Sequence, residues 1–536
     1  MTDTGSNTMT GRARRCLGVL LGLIAALAVV PLPAAHADGG GEGATVVRTT
    51  AGAVRGEVTG LGRQFLGIPY AADPVGKLRW QPPRPHARWS GVRDATDFSN
   101  RCVQGSSWDP GYEQPTHTED CLSLNVYAPK TKGAQRDRPV LVWFHGGGLT
   151  AGAGSDVVPD TFADASGAVV VTINYRLGAM GFLSLPGLQE SGNYGMLDQQ
   201  AALRWVRANA ARFGGDADKV TIAGESAGGR SVCDQLASPG ARGLFRGAVI
   251  QSGAYDDCNA RTRAAADADG LAFAKKLGCE DAATVAACLR AKPAAELLKA
   301  QSGHNWNPVV GSSFLPRQPA EAFASGEYPR VPVVNGANRD EGTLFAFGAY
   351  DGAGKPLTAE QYPAAIRNAF GAEKAEQVLR AYPLSAFKTP TLAYAAAVGD
   401  QLMACPADRL NSRIAGTAPV YAYEFADETG PPFASLRNLD TDFPFGATHV
   451  NELQYLFRHF GLEAPFTAAE KKLSRQMTAY WSSFVRTGRP TAPGLPAMPE
   501  QSRTPGKVLT LQTAPAGGPE VSGDFGKRHH CEVWGG

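Results

Sequence analysis

The stretch Val220-Thr-Ile-Ala-Gly-Glu-Ser-Ala-Gly228 decides the fold of this chain. Its apolar, β-branched start is typical of a buried strand, and a stretch compatible with a helix follows directly. A strand that turns at once into a helix needs residues without a Cβ beside the turn, here Gly224 and Gly228. The pattern therefore predicts that Ser226 projects from the edge of a sheet. A tight turn with a buried serine is the alternative, since 63 of the 536 residues are glycine and so short a motif recurs by chance.

Short apolar runs alternate with helical patterns on both sides of this unit. Residues 140–144 and 168–173 are β-branched and almost continuously apolar, which predicts strands buried on both faces. Residues 197–213 predict a helix, and Thr467 with Glu470 has the capping-box spacing of another helix start. The alternation predicts an α/β fold: a mostly parallel central sheet flanked by helices, with large insertions.

A second glycine-rich stretch, His145-Gly-Gly-Gly148, follows the first of these predicted strands. Consecutive glycines let backbone N–H groups point into one small volume, so Gly147 and Gly148, together with Ala227, could bind a developing negative charge. Glycine-rich loops also bind phosphate, but no Gly-Lys-Ser/Thr follows and no Gly-x-Gly-x-x-Gly opens a helix. The pattern favours an oxyanion hole over a nucleotide site.

A serine nucleophile needs a histidine base and an acid that orients the histidine, in the chain order Ser, acid, His for this arrangement. The acid is expected after the predicted strand at 331–335, where Asp340 and Glu341 are equally suitable. His449, in a turn-like stretch, is the best-placed base. The remaining histidines after the serine precede the acid, lie in an apolar helix-like run or adjoin a cysteine: His304, His459, His529 and His530.

Composition indicates a large globular protein with no bias toward charged partners. Hydrophobic residues make up 43% of the chain and charged residues 19%, and the formal net charge is +2. With so small a net charge, the chain is not expected to bind nucleic acid. No Cys-x-x-Cys or His-rich spacing indicates a metal site, and no cofactor is expected.

The first 37 residues predict a signal peptide. Three arginines precede an apolar run at 17–30, and Ala35-His36-Ala37 offers a cleavage site. The run is shorter than the roughly 20 apolar residues of a membrane span, so no stable membrane anchor is expected. Residues 38–536 are expected to form a single secreted domain.

Removal of that leader with Cys16 leaves eight of the nine cysteines, enough for four bridges in an oxidising compartment. Cys102 and Cys121 are close in sequence, as are Cys279 and Cys288. Whether Cys233 and Cys258 are bridged or remain free thiols is left open by their spacing.

Taken in order, these motifs resemble the type-B carboxylesterase family, α/β-hydrolases that include cholinesterases and bacterial nitrobenzyl esterases. The resemblance extends from about residue 45 to the C-terminus. Further family-like stretches are Phe65-Leu-Gly-Ile-Pro-Tyr-Ala71, Glu119-Asp-Cys-Leu-Ser-Leu-Asn-Val-Tyr-Ala-Pro129, Asn174-Tyr-Arg-Leu-Gly178, Gly192-Asn-Tyr-Gly-Met-Leu-Asp-Gln199, Phe213-Gly-Gly-Asp216 and Gln251-Ser-Gly253.

The resemblance implies a serine ester hydrolase that forms an acyl-enzyme on Ser226, with Glu341 rather than Asp340 as the acid and His449 as the base. It implies an oxyanion hole made by the N–H groups of Gly147, Gly148 and Ala227. It places three further polar groups near the histidine: Glu225, Glu452 and Ser252. It implies three disulfides: Cys102–Cys121, Cys279–Cys288 and Cys405–Cys531.

Short- to medium-chain esters, with water as the second substrate, are the expected substrates because no long apolar lid segment is present. A lipase acting on long-chain acylglycerols and a non-catalytic binding protein on the same fold are the alternatives. Trp108 does not stand just before the second cysteine of its loop, where cholinesterases carry their cation-binding tryptophan, so choline specificity is not expected.

Overall fold

The computed structural model describes residues 45–107, 113–130 and 137–535. The predicted signal peptide and Trp108 lie outside the described residues. Within these three ranges, no helix combines the length and the apolar character that a bilayer crossing requires.

The strands are short at the N-terminus and longest around the nucleophile motif. In chain order they are β1 Val46–Arg48, β2 Ala53–Arg55, β3 Glu57–Thr59, β4 Gly62–Pro69, β5 Val92–Asp94, β6 Ser123–Pro129, β7 Arg138–Phe144, β8 Val157–Val158, β9 Val169–Ile173, β10 Gly215–Glu225, β11 Gly247–Gln251, β12 Val333–Asn338, β13 Val420–Phe425, β14 Arg458–His459, β15 Val508–Leu511 and β16 Glu520–Ser522.

The α-helices range from a single turn to twenty residues. They are α1 Asp160–Ser166, α2 Gly178–Phe182, α3 Tyr194–Asn209, α4 Ala227–Ala237, α5 Arg263–Lys276, α6 Val285–Ala291, α7 Ala294–Ala300, α8 Pro319–Ser325, α9 Gly342–Ala349, α10 Tyr362–Phe370, α11 Ala372–Ala381, α12 Pro390–Gly399, α13 Cys405–Ala415, α14 Ala468–Thr487 and α15 Phe525–Arg528. Short 3₁₀ segments lie at Gly76–Leu78, Ala210–Phe213, Pro239–Ala241, Tyr255–Cys258, Leu384–Ala386, Ala434–Leu436, Asn451–Tyr455 and Ala514–Ala516, and a π-helical turn at Asp400–Ala404.

An eleven-stranded mixed sheet forms the centre, in the order β16-β15-β13-β12-β11-β10-β7-β9-β6-β4-β3. The seven neighbouring strands β15, β13, β12, β11, β10, β7 and β9 run parallel to one another. Strands β6, β4 and β3 at one edge and β16 at the other pair antiparallel. Because the carboxyl ends of parallel strands meet at one edge, the residues that follow β7, β10 and β12 converge there.

Alternate residues of β7 enter two different cores, which explains its nearly continuous apolar sequence. Val142 and Phe144 pack with residues of α3 and α4, whereas Leu141 and Trp143 pack with residues of α1 and α14. Helices therefore cover both faces of the sheet, and the predicted α/β fold is confirmed.

Several predicted elements are confirmed with shifted ends. The helix predicted at 197–213 begins earlier, at Tyr194, and its last turn is 3₁₀. The strand predicted from residue 331 begins at Val333 because Pro332 has no N–H to donate. The predicted capping box between Thr467 and Glu470 is present at the start of α14. The run around His459 is not helical; the residue lies in β14, which pairs with β8.

Four disulfides link the described cysteines. Three are the bridges that the family resemblance implies: Cys102–Cys121, Cys279–Cys288 and Cys405–Cys531. The fourth joins Cys233 of α4 to Cys258, the pair that sequence spacing left open. It ties the helix after Ser226 to the turn at 255–258.

Candidate active site

Ser226 lies between the last residue of β10 and the first residue of α4. Its backbone has φ 54° and ψ −122°, a conformation that non-glycine residues rarely adopt. Its N–H donates to the Gln251 carbonyl at 2.9 Å, which holds the turn against β11. A Cβ on Gly228 would lie 2.0 Å from the Phe144 carbonyl oxygen, and one on Gly224 would lie 2.4 Å from Gly228. The two glycines of the motif are therefore required by close backbone contacts.

The glycine loop after β7 lies against this turn. A Cβ on Gly146 would be 3.3 Å from Ser226 Cβ, so the two segments are nearly in contact. Gly147 and Gly148 have φ of 98° and 61° and are exposed, and the N–H of neither donates to a described residue. Ala227 is the first residue of α4, where backbone N–H groups have no intrahelical acceptor. These N–H groups are available to an anion beside the serine.

Glu341 and His449 are in direct contact although 108 residues separate them. Glu341 Oε2 lies 2.6 Å from His449 Nδ1, and both side chains are buried. The other carboxylate oxygen, Oε1, accepts from Ser252 Oγ at 2.5 Å and from the Asn338 N–H at 2.7 Å. Glu341 is therefore held in place by three donors, one of which is the histidine.

Asp340, the other acid that the sequence left possible, points elsewhere. Its Oδ2 accepts from the Ala447 N–H at 2.8 Å, and its own N–H donates to the Ala447 carbonyl at 3.1 Å. These bonds fix the segment that carries His449 beside the end of β12. Asp340 thus positions the histidine loop and does not contact the imidazole.

Two further carboxyl groups lie close to the imidazole. Glu225 Oε1 is 3.2 Å from His449 Nε2, a nitrogen that makes no hydrogen bond to a described residue. Glu452 accepts from Gln251 Nε2 at 3.0 Å and from Asn338 Nδ2 at 2.7 Å. The structure therefore gathers all of the predicted polar groups around one buried histidine.

Burial raises the pKa of Glu225 well above its ordinary value, and its carboxylate neighbours add to the shift while His449 opposes it. Burial likewise raises the pKa of Glu452, with Glu341 as the next cause. Burial lowers the pKa of His449, but Glu225, Glu341 and Glu452 outweigh it and raise the value to about 9. Burial therefore favours the neutral forms of Glu225 and Glu452, while the three carboxyl groups together favour the charged form of His449.

Sequence reasoning missed Asn338, which joins the acid to the histidine segment. Its N–H donates to Glu341, and its side chain donates to Glu452 and to the Thr448 carbonyl at 2.7 Å. A polar residue at the end of an apolar strand was the available signal. His145 supports the glycine loop, since it stacks on Tyr175 with ring centroids 4.3 Å apart.

No group of residues suited to holding a metal ion occurs in the part of the chain that the structure describes. The site consists of a serine on a strained turn, free backbone N–H groups and an acid–histidine pair. Such a combination is suited to nucleophilic attack on a carbonyl group.

Comparison with known proteins gives the same class of chemistry. The model of the carboxylesterase family matches residues 43–534. The chain is 35% identical to human cocaine esterase over 509 residues, which cover 90% of this chain and 88% of the relative. It is 36% identical to para-nitrobenzyl esterase of Bacillus subtilis over 481 residues, 85% of this chain and 93% of the relative.

A solved structure of PNB esterase is similar over 91% of this chain and 100% of its own, with 31% identity and a TM-score of 0.76. A thermophilic PNB esterase gives the same TM-score at 32% identity. The α/β-hydrolase fold expected from the sequence is thereby confirmed. The chain is a member of the carboxylesterase family, an enzyme that hydrolyses carboxylic esters.

Proposed function

We propose that the ester hydrolysis proceeds through an acyl-enzyme on Ser226, with His449 as general base and Glu341 as the acid that orients it. The observation that carries this assignment is the 2.6 Å contact between Glu341 Oε2 and His449 Nδ1 beside the serine turn. The contact fixes the tautomer in which Nε2 is free to accept a proton.

In the first half of the reaction, Ser226 Oγ attacks the ester carbonyl carbon while its proton passes to His449 Nε2. Glu341 stabilises the imidazolium that forms. The tetrahedral intermediate then collapses, the carbon–oxygen bond to the alcohol breaks, and the leaving alkoxide takes the proton from Nε2. Water repeats the sequence on the acyl-enzyme, which releases the carboxylic acid and restores the serine.

The negative charge on the carbonyl oxygen is stabilised by the N–H groups of Gly147, Gly148 and Ala227. Their support is geometric, since the two glycines have positive φ and exposed N–H groups, and Ala227 begins a helix. Each such donor is worth about 3 kcal/mol in the transition state of comparable sites.

Substitution of Ser226 by alanine tests the nucleophile. We expect kcat/KM for p-nitrophenyl butyrate to fall by about 10⁴-fold or more, since loss of the nucleophile removes the covalent route. The matched control is Ser231→Ala, which removes a buried hydroxyl five residues later on α4. An organophosphate should add its mass to the peptide containing Ser226 in the wild type and in the control. Equal hydrolysis by Ser226→Ala and the wild type would overturn the assignment.

Short- to medium-chain esters are the proposed substrates. The absence of a long apolar lid in the sequence supports this preference, as do relatives named for cocaine and para-nitrobenzyl esters. A series of p-nitrophenyl esters from acetate to palmitate is expected to peak at short or medium chains. A peak at palmitate with activation at a lipid interface would establish a lipase instead.

Export as a single mature domain, residues 38–536, is also proposed. The arginine-led apolar leader supports it, and four disulfides favour an oxidising compartment. N-terminal sequencing of protein recovered from the culture medium is expected to begin at Asp38. Recovery only from cells, with the leader intact, would contradict export.

A further inference from the structure

Besides the candidate active site, the structure has a second possible binding site: a cavity of about 590 Å³ on the face of the sheet covered by α1 and α14. Its apolar lining includes Phe162 of α1, Leu456, Phe457 and Phe466. Neither the serine turn nor the Glu341–His449 pair contributes to its walls. Its volume is in the range of small-molecule binding sites.

The opening of this cavity carries an excess of positive charge. Five charged side chains line it: Arg458, Lys471, Arg475, Arg486 and Glu463. Arg458 is already paired, at 2.5 Å from Asp160 and 3.7 Å from Glu463. The other three cations are exposed and form no ion pair with another residue that the structure describes. Their spacing places them on one face of α14.

Ser482 lies on the same face of α14, between Arg475 and Arg486, and borders the cavity. The residue is only 4% exposed, and its Oγ has no hydrogen-bond partner among the described residues. Buried hydroxyls are normally paired, in helices often with the carbonyl four residues earlier. Ser482 lies one turn before Arg486 and two turns after Arg475, so an anionic ligand between these cations would supply the acceptor that its hydroxyl lacks.

We propose that this cavity binds an aliphatic monocarboxylate, the class of compound that ester hydrolysis releases. The apolar lining of the cavity contacts the alkyl chain of the ligand. The cations of α14 attract the carboxylate, and Ser482 donates a hydrogen bond to it. Inorganic phosphate would leave the apolar lining without a contact, and a neutral alcohol would leave the cations unpaired. The inference uses only the established ester hydrolysis and is independent of the triad assignment.

Calorimetric titration with sodium octanoate tests the site. Arg475→Gln/Arg486→Gln is expected to bind octanoate about tenfold more weakly than the wild type, because the two α14 cations nearest Ser482 are lost. The matched control, Lys472→Gln/Arg489→Gln, removes two exposed charges outside the cavity and should bind like the wild type. Octanoate bound at the catalytic serine would contribute equally to all three proteins, so the difference reports on the second cavity.

The contributions of the Ser482 hydroxyl and of the ligand's alkyl chain can be tested separately. Ser482→Ala should weaken octanoate binding about threefold, while the neighbouring Ser483→Ala, whose hydroxyl pairs with Thr491, should not. Acetate should bind far more weakly than octanoate, since each buried methylene tightens binding about fourfold.

Three results would overturn the proposal: equal octanoate affinity in all variants, equal affinity for acetate and octanoate, or binding to phosphatidylglycerol vesicles without binding of monomeric octanoate. The charge variants should retain wild-type esterase activity without octanoate. A failure of this proposal would therefore leave the Ser226 experiment unaffected.

Discussion

Two buried histidines in this protein each face two carboxyl groups, yet their surroundings differ. His449 has Glu341 at 2.6 Å from Nδ1 and Glu225 at 3.2 Å from Nε2. His529 has Asp400 at 2.5 Å from Nδ1 and Glu424 at 3.0 Å from Nε2.

The difference lies in the cations. Glu424 also accepts hydrogen bonds from Arg339 and Arg528. Burial raises the pKa of Glu424, but His529 and Arg339 outweigh it and lower the value to about 2. Both ring nitrogens of His529 face carboxylates. Burial lowers the pKa of His529, but Asp400 and Glu424 outweigh it and raise the value to about 10. These two neighbours therefore favour the charged imidazolium at neutral pH.

At His449 no arginine forms an ion pair with Glu225, Glu341 or Glu452 among the described residues. Burial raises the pKa of Glu225 and of Glu452, and Nε2 makes no hydrogen bond to a described residue. Two nearly identical sets of contacts therefore surround histidines whose carboxyl neighbours differ in their counter-charges.

The largest expected effect comes from substituting each of the two histidines in turn and measuring ester hydrolysis. His449→Gln should lower kcat/KM for p-nitrophenyl butyrate by about 10⁴-fold, because the proposed proton acceptor is lost. His529→Gln should leave kcat/KM within about threefold in protein that remains folded, because the residue does not contact the reacting atoms. Similar losses in both variants would show that the distinction between the clusters is wrong.

Stability should respond in the opposite way. His529→Gln leaves buried Asp400 and Glu424 without their shared cation and should lower the free energy of unfolding by about 3 kcal/mol at pH 6. A raised histidine pKa stabilises the fold fully below the ordinary value of 6.5, and this contribution is lost as pH rises through about 10. The difference in Tm between wild type and variant should shrink from pH 6 to pH 10. A difference that grows with pH would mean that His529 is neutral.

The smallest effect concerns Glu225. If its carboxyl is protonated at neutral pH, Glu225→Gln replaces one neutral group by another, and the acidic limb of kcat/KM against pH should move by less than about 0.5 unit. An ionised Glu225 would instead raise the pKa of His449, and its removal would shift the limb to lower pH by about one unit. The pH profile of the variant therefore decides between the two charge states.

The sequence was most informative where the constraint is local. The strand–turn–helix at Ser226 was predictable because the backbone of Gly228 approaches Gly224 within the same turn, although Gly228 is itself required by a contact with the distant Phe144 carbonyl. The local sequence does not show whether Asp340 or Glu341 is the acid, because adjacent side chains on a turn point in different directions. Their roles depend on the pairing of Asp340 with Ala447, a contact across 107 residues.

Other features depend entirely on distant partners. The Cys233–Cys258 bridge requires the turn at Asp256, Asp257 and Cys258, three successive non-glycine residues with positive φ. The His529 cluster joins residues 129 and 105 positions apart, so the sequence around His529 shows only a cysteine neighbour. No local pattern encodes either contact.

The position of His529 in the sequence has a consequence for biosynthesis. Asp400 and Glu424 are synthesised 129 and 105 residues before the imidazole that contacts both of them. Until His529 emerges, Asp400 has no histidine partner in the growing chain, although Glu424 already has Arg339. A premature stop just before His529 would therefore leave a polypeptide in which these two acids lack their shared partner.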